Sequence, residues 1–310
     1  MRVMVTCPPM LGMIDSFRPR FAEKQVELIA PKVVQILSED ELIDLVPGVD
    51  GWIVGDDPAS ERVLTAGTAG QLKAVVKWGV GVDNVDFKAA ERLGLKVSNT
   101  PGVFGREVAD LAMHYVGGLA RETFFIDRDI RQNNGWPKPS GISLAGRTAA
   151  LVGFGDIGRQ TARRLLAADM RVIAYDPMFR PDAAIPVEEG HWPEQLETAD
   201  FLVFTCPLNP QTQHMFNFGL LPKLKPGVRV VNVGRGPVVE EPALIEGLKT
   251  GVVHSAALDV FEVEPLPKDS PLRTYDRCIF GSHNGSNTRD AVRRVSNTAI
   301  DMMFGFLGVS

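Results

Sequence analysis

The sequence predicts an α/β protein of two domains, each a doubly wound parallel sheet covered by helices. Three observations carry that prediction. Short β-branched runs alternate with helical patterns from the first residues and again from residue 148, the pattern of parallel strands joined by helical crossovers. One strand-to-helix junction carries glycines in the GxGxxG spacing. The chain has 310 residues, about twice an ordinary domain of ~150, which is length enough for two buried cores.

In order along the chain, strands are expected at RVMVTC, VELIA, GWIVG (51–55), KAVVK (73–77) and LKVSN (95–99). The amphipathic stretches DELIDLV, SERVLTAG and DFKAAERLG lie between them and can cover the sheet faces. A long helix begins at Phe104, because Phe104, Val108, Leu111, Ala112, Tyr115, Val116 and Leu119 recur at steps of three and four along one face. Pro101 and Gly102 before it, and the polar segment RQNNGWPKPSG after the next helical stretch, mark a change of module. The domain boundary is placed near residue 99, dividing a first segment 1–98 from a domain 99–286. A second run of strands follows at TAALVG (148–153), MRVIAYD (170–176), DFLVFT (200–205), RVVNVG (229–234), AALDV (256–260) and RCIFGS (277–282). The last helix, within 287–310, sets Ala291, Val292, Val295, Ala299, Met302, Met303 and Phe306 on one face, with Asn287 or Thr288 available as its cap. It is placed to return to the first domain.

Composition narrows the function classes. Lys plus Arg 33 against Asp plus Glu 38 leaves a formal charge of −5, with no basic patch, so nucleic acid is not an expected partner. Hydrophobic residues at 45% and charged residues at 23% are ordinary globular usage and argue against long disorder. No run of about 18 apolar residues is present, and Pro8 and Pro9 interrupt the start, so neither a membrane span nor an export signal is expected. Cys7, Cys206 and Cys278 are widely spaced and form no CxxC, which fits a reducing, cytoplasmic setting without a disulfide framework. His114, His191, His214 and His254 have no metal-ligand spacing and read as structural or solvated; no metal is expected.

GFGDIG, with Gly153, Gly155 and Gly158, lies between the strand TAALV and the helical stretch RQTARRLLA. Glycines there permit the tight turn and close backbone approach, and the amides near Asp156 and Ile157 at the helix start can receive a pyrophosphate. Asp176 closes the next strand eighteen residues after Gly158 and is placed to accept hydrogen bonds from the adenine ribose. The alternative is a simple chain turn beside a solvated strand end. A 2′-phosphate about 4 Å from Asp176 would be repelled by roughly 4 kcal/mol at an effective dielectric near 20, before screening, so NAD is expected over NADP. Arg180, four residues on, could soften that preference.

Ligands in open α/β sheets sit outside the carboxyl ends of the strands. Arg235 follows VVNVG, Glu264 follows AALDVFEV and His283 follows CIFGS, so a guanidinium, a carboxylate and an imidazole leave three strand ends on one side. The plainer alternative is a structural ion pair and a helix-capping histidine. The strings VNVGRGPVVEEPALIEGLKTG, ALDVFEVEPLPKDSPL and SHNGSNT, with GFGDIG and WGVGVDNVD, resemble the D-isomer-specific 2-hydroxyacid dehydrogenase family, strongly over about residues 76 to 290. The resemblance implies a Rossmann NAD domain inserted into a flavodoxin-like substrate domain built from both chain ends. It also implies a homodimer of phosphoglycerate dehydrogenase-like kind.

Carried over by resemblance, Arg235 clamps the substrate carboxylate and reactive oxygen, His283 is the acid/base, and Glu264 orients it. Val80 and Gly81 contact the substrate, and Val80 also touches the nicotinamide side. Cys206 and Pro207 line the adenosine side, Val233 and Gly234 the nicotinamide side. Asp259 meets the carboxamide, unless it is a buried structural carboxylate, and Ser286 completes the cofactor set. The expected substrate is a small 2-hydroxy or 2-keto acid of glyoxylate, hydroxypyruvate, glycerate or 3-phosphoglycerate type. The alternative function is an NAD-sensing, corepressor-like binding protein on the same fold.

Some positions depart from the family pattern. Ser282 stands where proline usually precedes the catalytic histidine, and Asn284 and Ser286 replace smaller apolar residues. GDDPASERV, with Asp56 and Asp57, stands where phosphoglycerate dehydrogenases carry a basic phosphate-binding residue, leaving Arg62 or Lys77 to compensate. The sequence stops at Ser310, so serine feedback through an added regulatory domain is not expected.

Overall fold

The structure is a computed structural model and describes residues 1–309. In chain order the elements begin β1 (Arg2–Val5), α1 (Pro8–Leu11), α2 (Arg18–Glu23), β2 (Glu27–Ile29), α3 (Glu39–Leu45), β3 (Gly51–Val54), α4 (Glu61–Ala69), β4 (Ala74–Lys77), α5 (Phe87–Arg92) and β5 (Lys96–Asn99). They continue with α6 (Gly105–Arg121), α7 (Thr123–Asn133), β6 (Thr148–Val152), α8 (Asp156–Ala167), β7 (Arg171–Tyr175), β8 (Glu188–Gly190), β9 (Phe201–Phe204), β10 (Val228–Asn232), α9 (Glu241–Thr250), β11 (Val253–Leu258), β12 (Ile279–Phe280) and α10 (Arg289–Leu307). The chain divides into two compact units, Met1–Phe104 with the chain from Asn287 onward, and Gly105–Ser286.

Among the described residues the first unit holds a five-stranded sheet in the order β2-β1-β3-β4-β5, parallel throughout. That is the flavodoxin-like winding. Strands β3 and β4 are buried along their whole length, which is why they read as near-continuous apolar runs. Helix α10 belongs to this unit: Thr288 Oγ1 caps it by accepting the Ala291 N–H at 3.1 Å, and Ala291, Val292, Val295, Ala299 and Met303 are buried. Gly51 makes room for it, since a Cβ there would lie 2.3 Å from Met303 Sδ. The Trp78 indole donates to Ser296 Oγ at 3.0 Å.

The chain leaves this unit after Phe104, later than the boundary near 99 expected from turn residues. Gly79 N–H donates to Thr100 Oγ1 at 2.8 Å, and the Phe104 and Trp78 rings lie 5.1 Å apart, which holds residues 100–104 to the first sheet.

The second unit holds a seven-stranded parallel sheet, β12-β11-β10-β9-β6-β7-β8. Strand order reverses between β6 and β9, and the crevice outside their carboxyl ends is where a doubly wound sheet takes its dinucleotide. Helix α6 packs by the predicted stripe, with Val108, Ala112, Tyr115, Val116 and Leu119 buried.

Three local differences have physical reasons. Strand β8 is not expected from EEG, which has no β-branched residue; it pairs by backbone with β7, and Gly190 is needed because a Cβ would lie 2.7 Å from Ile173 Cγ2. Helices α1 and α2 are too short for apolar periodicity to register. Strand β11 ends at Leu258, so Asp259 and Val260 stand in the loop beyond it. The three cysteines are buried free thiols. Among the described residues no helix is long and apolar enough to cross a membrane, and no cluster of His, Cys, Asp and Glu is arranged to hold a metal ion.

Candidate active site

The three glycines after β6 each meet a different steric demand. Gly153 has φ +92, and a Cβ there would sit 2.8 Å from the Cys206 nitrogen. A Cβ on Gly158 would lie 2.0 Å from Gly153 O, so only glycine lets α8 start this close to the strand. Around Gly155 no atom lies within 4 Å of the Cβ position, which leaves the backbone open to an approaching anion. Helix α8 begins at Asp156, and its first-turn N–H groups, including those of Asp156 and Ile157, have no carbonyl within the helix. This donor set fits a pyrophosphate.

Asp176 follows β7 and is held in place from two sides. Its Oδ2 accepts the Phe154 N–H at 2.6 Å and its Oδ1 the Met178 N–H at 2.8 Å. Each carboxylate oxygen has two lone pairs, so capacity for ribose hydroxyls remains. The Phe154 ring is stacked with Phe179 at 5.2 Å and covered by the Arg159 guanidinium at 4.5 Å. Arg180 joins this group through its carbonyl, which accepts from Arg159 at 2.9 Å.

Beyond β9 and β10, Cys206 and Gly234 close in on the same turn: a Cβ on Gly234 would lie 2.6 Å from Cys206 O. Burial pushes the Cys206 thiol up to about 12, which keeps it a neutral thiol. Pro207 O accepts the Thr212 hydroxyl at 2.6 Å, and Val233 N–H donates to Phe204 O at 3.1 Å.

The three side chains that the sequence singles out as catalytic leave the adjacent ends of β10, β11 and β12. Asn232 clamps the first of these ends: its Oδ1 accepts Gly234 N–H at 3.0 Å and its Nδ2 donates to Arg235 O at 2.9 Å. Arg235 Nη1 donates to Gly234 O at 3.0 Å. A Cβ on Gly236 would lie 1.7 Å from Phe261 O, so the turn carrying Arg235 lies backbone to backbone against the turn carrying Glu264.

Glu264 Oε1 accepts the Phe261 N–H at 3.0 Å, which aims Oε2 at His283 Nδ1, 2.8 Å away. Both side chains are largely buried. His283 takes a left-handed backbone, φ 55, and its N–H donates to Asp259 O at 2.7 Å.

Asp259 anchors this loop. The residue is 2% exposed, and its carboxylate accepts the Asn284 and Gly285 N–H groups at 3.1 and 2.8 Å. Burial raises its carboxyl, opposed by those two hydrogen bonds, and Tyr115 adds a side-chain hydrogen bond from α6. Ser286, half-buried, is the last residue of this unit.

Val80 and Gly81 lie in the first unit, in the loop after β4, where Val80 O accepts Asn99 Nδ2 at 2.9 Å. Near them Lys77 is buried and donates to Gly55 O at 2.5 Å and Asp56 Oδ1 at 2.8 Å. Arg62 is engaged by Asp40 at 2.7 Å and Glu39 at 3.3 Å. Both basic residues that could offset Asp56 and Asp57 are therefore already paired with carboxylates. One histidine that the sequence reads as structural or solvated, His214, is bound to Glu262 at 2.7 Å.

Residues 113–285 match the NAD binding domain of the D-isomer specific 2-hydroxyacid dehydrogenases. The chain belongs to that family. It is 37% identical over 279 residues to the hydroxypyruvate reductase of Thermotoga maritima, covering 88% of this chain and 90% of that one. It is 34% identical over 296 residues to the D-3-phosphoglycerate dehydrogenase of Archaeoglobus fulgidus, covering 94% of this chain but 54% of that relative, so it spans about half the length of the phosphoglycerate enzyme. The crystal structure of the TT0316 protein from Thermus thermophilus superposes with a TM-score of 0.88 at 30% identity, over 99% of this chain and 97% of that one. The protein is thus an NAD-dependent oxidoreductase of the 2-hydroxyacid dehydrogenase family, with two parallel-sheet domains, and its cofactor is NAD.

Proposed function

We propose that this dehydrogenase interconverts a small, unphosphorylated 2-keto acid of glyoxylate or hydroxypyruvate type and its D-2-hydroxy acid, with His283 as acid/base. The observation that carries this is the 2.8 Å bond from His283 Nδ1 to Glu264 Oε2, on the strand edge from which Arg235 also emerges. A nicotinamide bound there would supply the hydride that the keto carbon takes up in reduction. Protonated His283 gives its Nε2 proton to the carbonyl oxygen, and in oxidation neutral His283 takes the hydroxyl proton back. Glu264 holds the opposite ring nitrogen, fixing the tautomer and stabilising the imidazolium, as the acidic member of a triad does. Arg235 offers a planar fork of donors to the substrate carboxylate and to charge developing on the reacting oxygen. Val80 and Gly81 are the further substrate contacts. Gly153 to Gly158 with the Asp156 and Ile157 amides would hold the cofactor's pyrophosphate, and Asp176 its adenine ribose. Cys206, Pro207, Val233, Gly234, Asp259 and Ser286 line the remainder.

The engagement of Lys77 and Arg62 by carboxylates supports a substrate without phosphate, because neither offers an uncompensated positive charge to a dianion. We further infer a homodimer in a reducing, cytoplasmic setting; the three buried thiols, none in a disulfide, fit such a compartment. NADH oxidation measured across small 2-keto acids and their phosphorylated analogues tests the activity. Turnover on glyoxylate or hydroxypyruvate is expected, with slower turnover on phosphohydroxypyruvate. NADH binding without turnover on any member would overturn the reading.

A further inference from the structure

A second imidazole–carboxylate pair lies beside the first within the Gly105–Ser286 unit. His214 Nε2 is 2.7 Å from Glu262 Oε1, and Glu262 stands two residues before Glu264 on the same turn. The other oxygen of Glu262 accepts the Glu241 N–H at 3.1 Å, while Glu241 Oε1 accepts the Glu262 N–H at 2.9 Å. These reciprocal bonds join the turn after β11 to the start of α9. His214 is itself fixed: its backbone is left-handed at φ 49, its N–H donates to Pro237 O at 2.7 Å, and its carbonyl accepts from Asn217 Nδ2 at 2.8 Å. Two residues on, Phe216 N–H donates to Val238 O at 3.1 Å and Phe216 O accepts the Glu240 N–H at 2.9 Å. The loop after β9 is therefore sewn to the turn after β10, and one imidazole ties both to the turn after β11.

That junction bears on the backbone that carries Arg235 and Glu264. Pro237 and Val238, whose carbonyls receive the His214 and Phe216 N–H groups, directly follow Arg235 and Gly236. The position of a Gly236 Cβ is only 1.7 Å from Phe261 O, so the turn after β10 packs backbone to backbone against Phe261. Phe261 N–H in turn sets the orientation of the Glu264 carboxylate. An unbroken covalent and hydrogen-bonded path thus runs from the His214 ring through Glu262 and the Phe261–Glu264 turn to the His283 ring.

We propose that His214 is a positioning residue for the reaction: through Glu262 it fixes the turn that aims Glu264 at His283 and the turn that presents Arg235. This rests on the assignment of His283, Glu264 and Arg235 given above. Its contribution is geometric, and displacing reacting groups by about 1 Å can cost up to ~10²-fold in rate. A solvated ion pair without that role would leave turnover unchanged on removal.

Two variants test the proposal, His214→Ala, which removes the ring, and His214→Gln, whose side-chain amide can still donate to Glu262 Oε1. Three quantities are read: kcat and KM with hydroxypyruvate, NADH affinity by fluorescence, and histidine side-chain NMR of the cofactor-free protein, simple in a chain with five histidines. His214→Ala should lower kcat by ~10-fold or more while NADH affinity stays within about twofold, and should shift the His283 ring resonances. His214→Gln should restore kcat to within about threefold of the parent and return the His283 resonances toward their original positions. Parental kcat with unmoved His283 resonances in His214→Ala would overturn the proposal. So would a loss of kcat, NADH affinity and melting temperature together in both variants, which is general damage. Should the unaltered enzyme reduce no 2-keto acid, the reaction assignment falls, and the cofactor-free NMR still decides whether His214 positions His283.

Discussion

On the proposed assignment, Asp176 would place the cofactor choice in one carboxylate. The Phe154 and Met178 amides hold its oxygens beside the glycine turn, so a ribose hydroxyl finds an acceptor where a 2′-phosphate would find a like charge. Asp176→Ser should narrow the preference for NADH over NADPH by ~10-fold or more, measured as the ratio of dissociation constants; equal binding of the two by the unaltered protein would contradict the assignment. Asp57 makes a different kind of prediction. Burial raises its carboxyl, opposed by the Thr6 hydroxyl and the Leu37 N–H. A carboxyl raised by folding holds its proton more tightly folded than unfolded, so its contribution is most favourable below the unfolded value of about 4 and is lost as pH rises through the folded value. Asp57→Asn, which cannot ionise, should therefore gain in melting temperature relative to the parent as pH rises from about 4 to 8. A difference independent of pH would contradict this. At this scale the sequence made legible the placement of Arg235, Glu264 and His283 beyond three strand ends, and the structure adds the His283–Glu264 bond. His214 carried no such signal, because its partner is 48 residues away and only the packing of three loops brings the two together.

The turn between β6 and α8 separates stability from binding within six residues. Gly158→Ala would push a methyl to 2.0 Å from a backbone oxygen, so melting temperature should fall by several degrees, an overpacking cost of about 1–3 kcal/mol or more. Gly155→Ala meets nothing within 4 Å and keeps φ at −74, so its cost should be confined to the poorer N-cap preference of alanine, about 1 kcal/mol or less and a smaller fall in melting than for Gly158→Ala, while NADH binding weakens. Calorimetry and NADH titration on the pair check this; an equal loss of stability in both would contradict the division of roles. Elements with a strong period were readable before the fold: α6 and α10 by their apolar stripes, β3, β4 and β6 by continuous burial. Those held by backbone alone were not. Strand β8 pairs through EEG, and β12 is reduced to two residues where six were expected.

Across the whole molecule, two parallel sheets were legible because alternation of strand and helix patterns occurs twice, and the winding followed from short crossovers of fixed hand. The return of α10 to the first sheet was expected, but its seat was not. That seat is set by Gly51, Ser296 and Trp78, which belong to segments far apart in sequence. The central claim is that the strand-end groups Arg235, Glu264 and His283 carry out D-specific hydride chemistry with NAD. The most direct measurement is the fate of the label when hydroxypyruvate is reduced with NADH carrying deuterium at both C4 positions, followed in the parent protein and in His283→Ala. The account predicts D-glycerate carrying deuterium at C2, formed ~10² to 10⁴ times more slowly by the variant while NADH still binds. An L-configured product, no label at C2, or undiminished transfer by His283→Ala would contradict it.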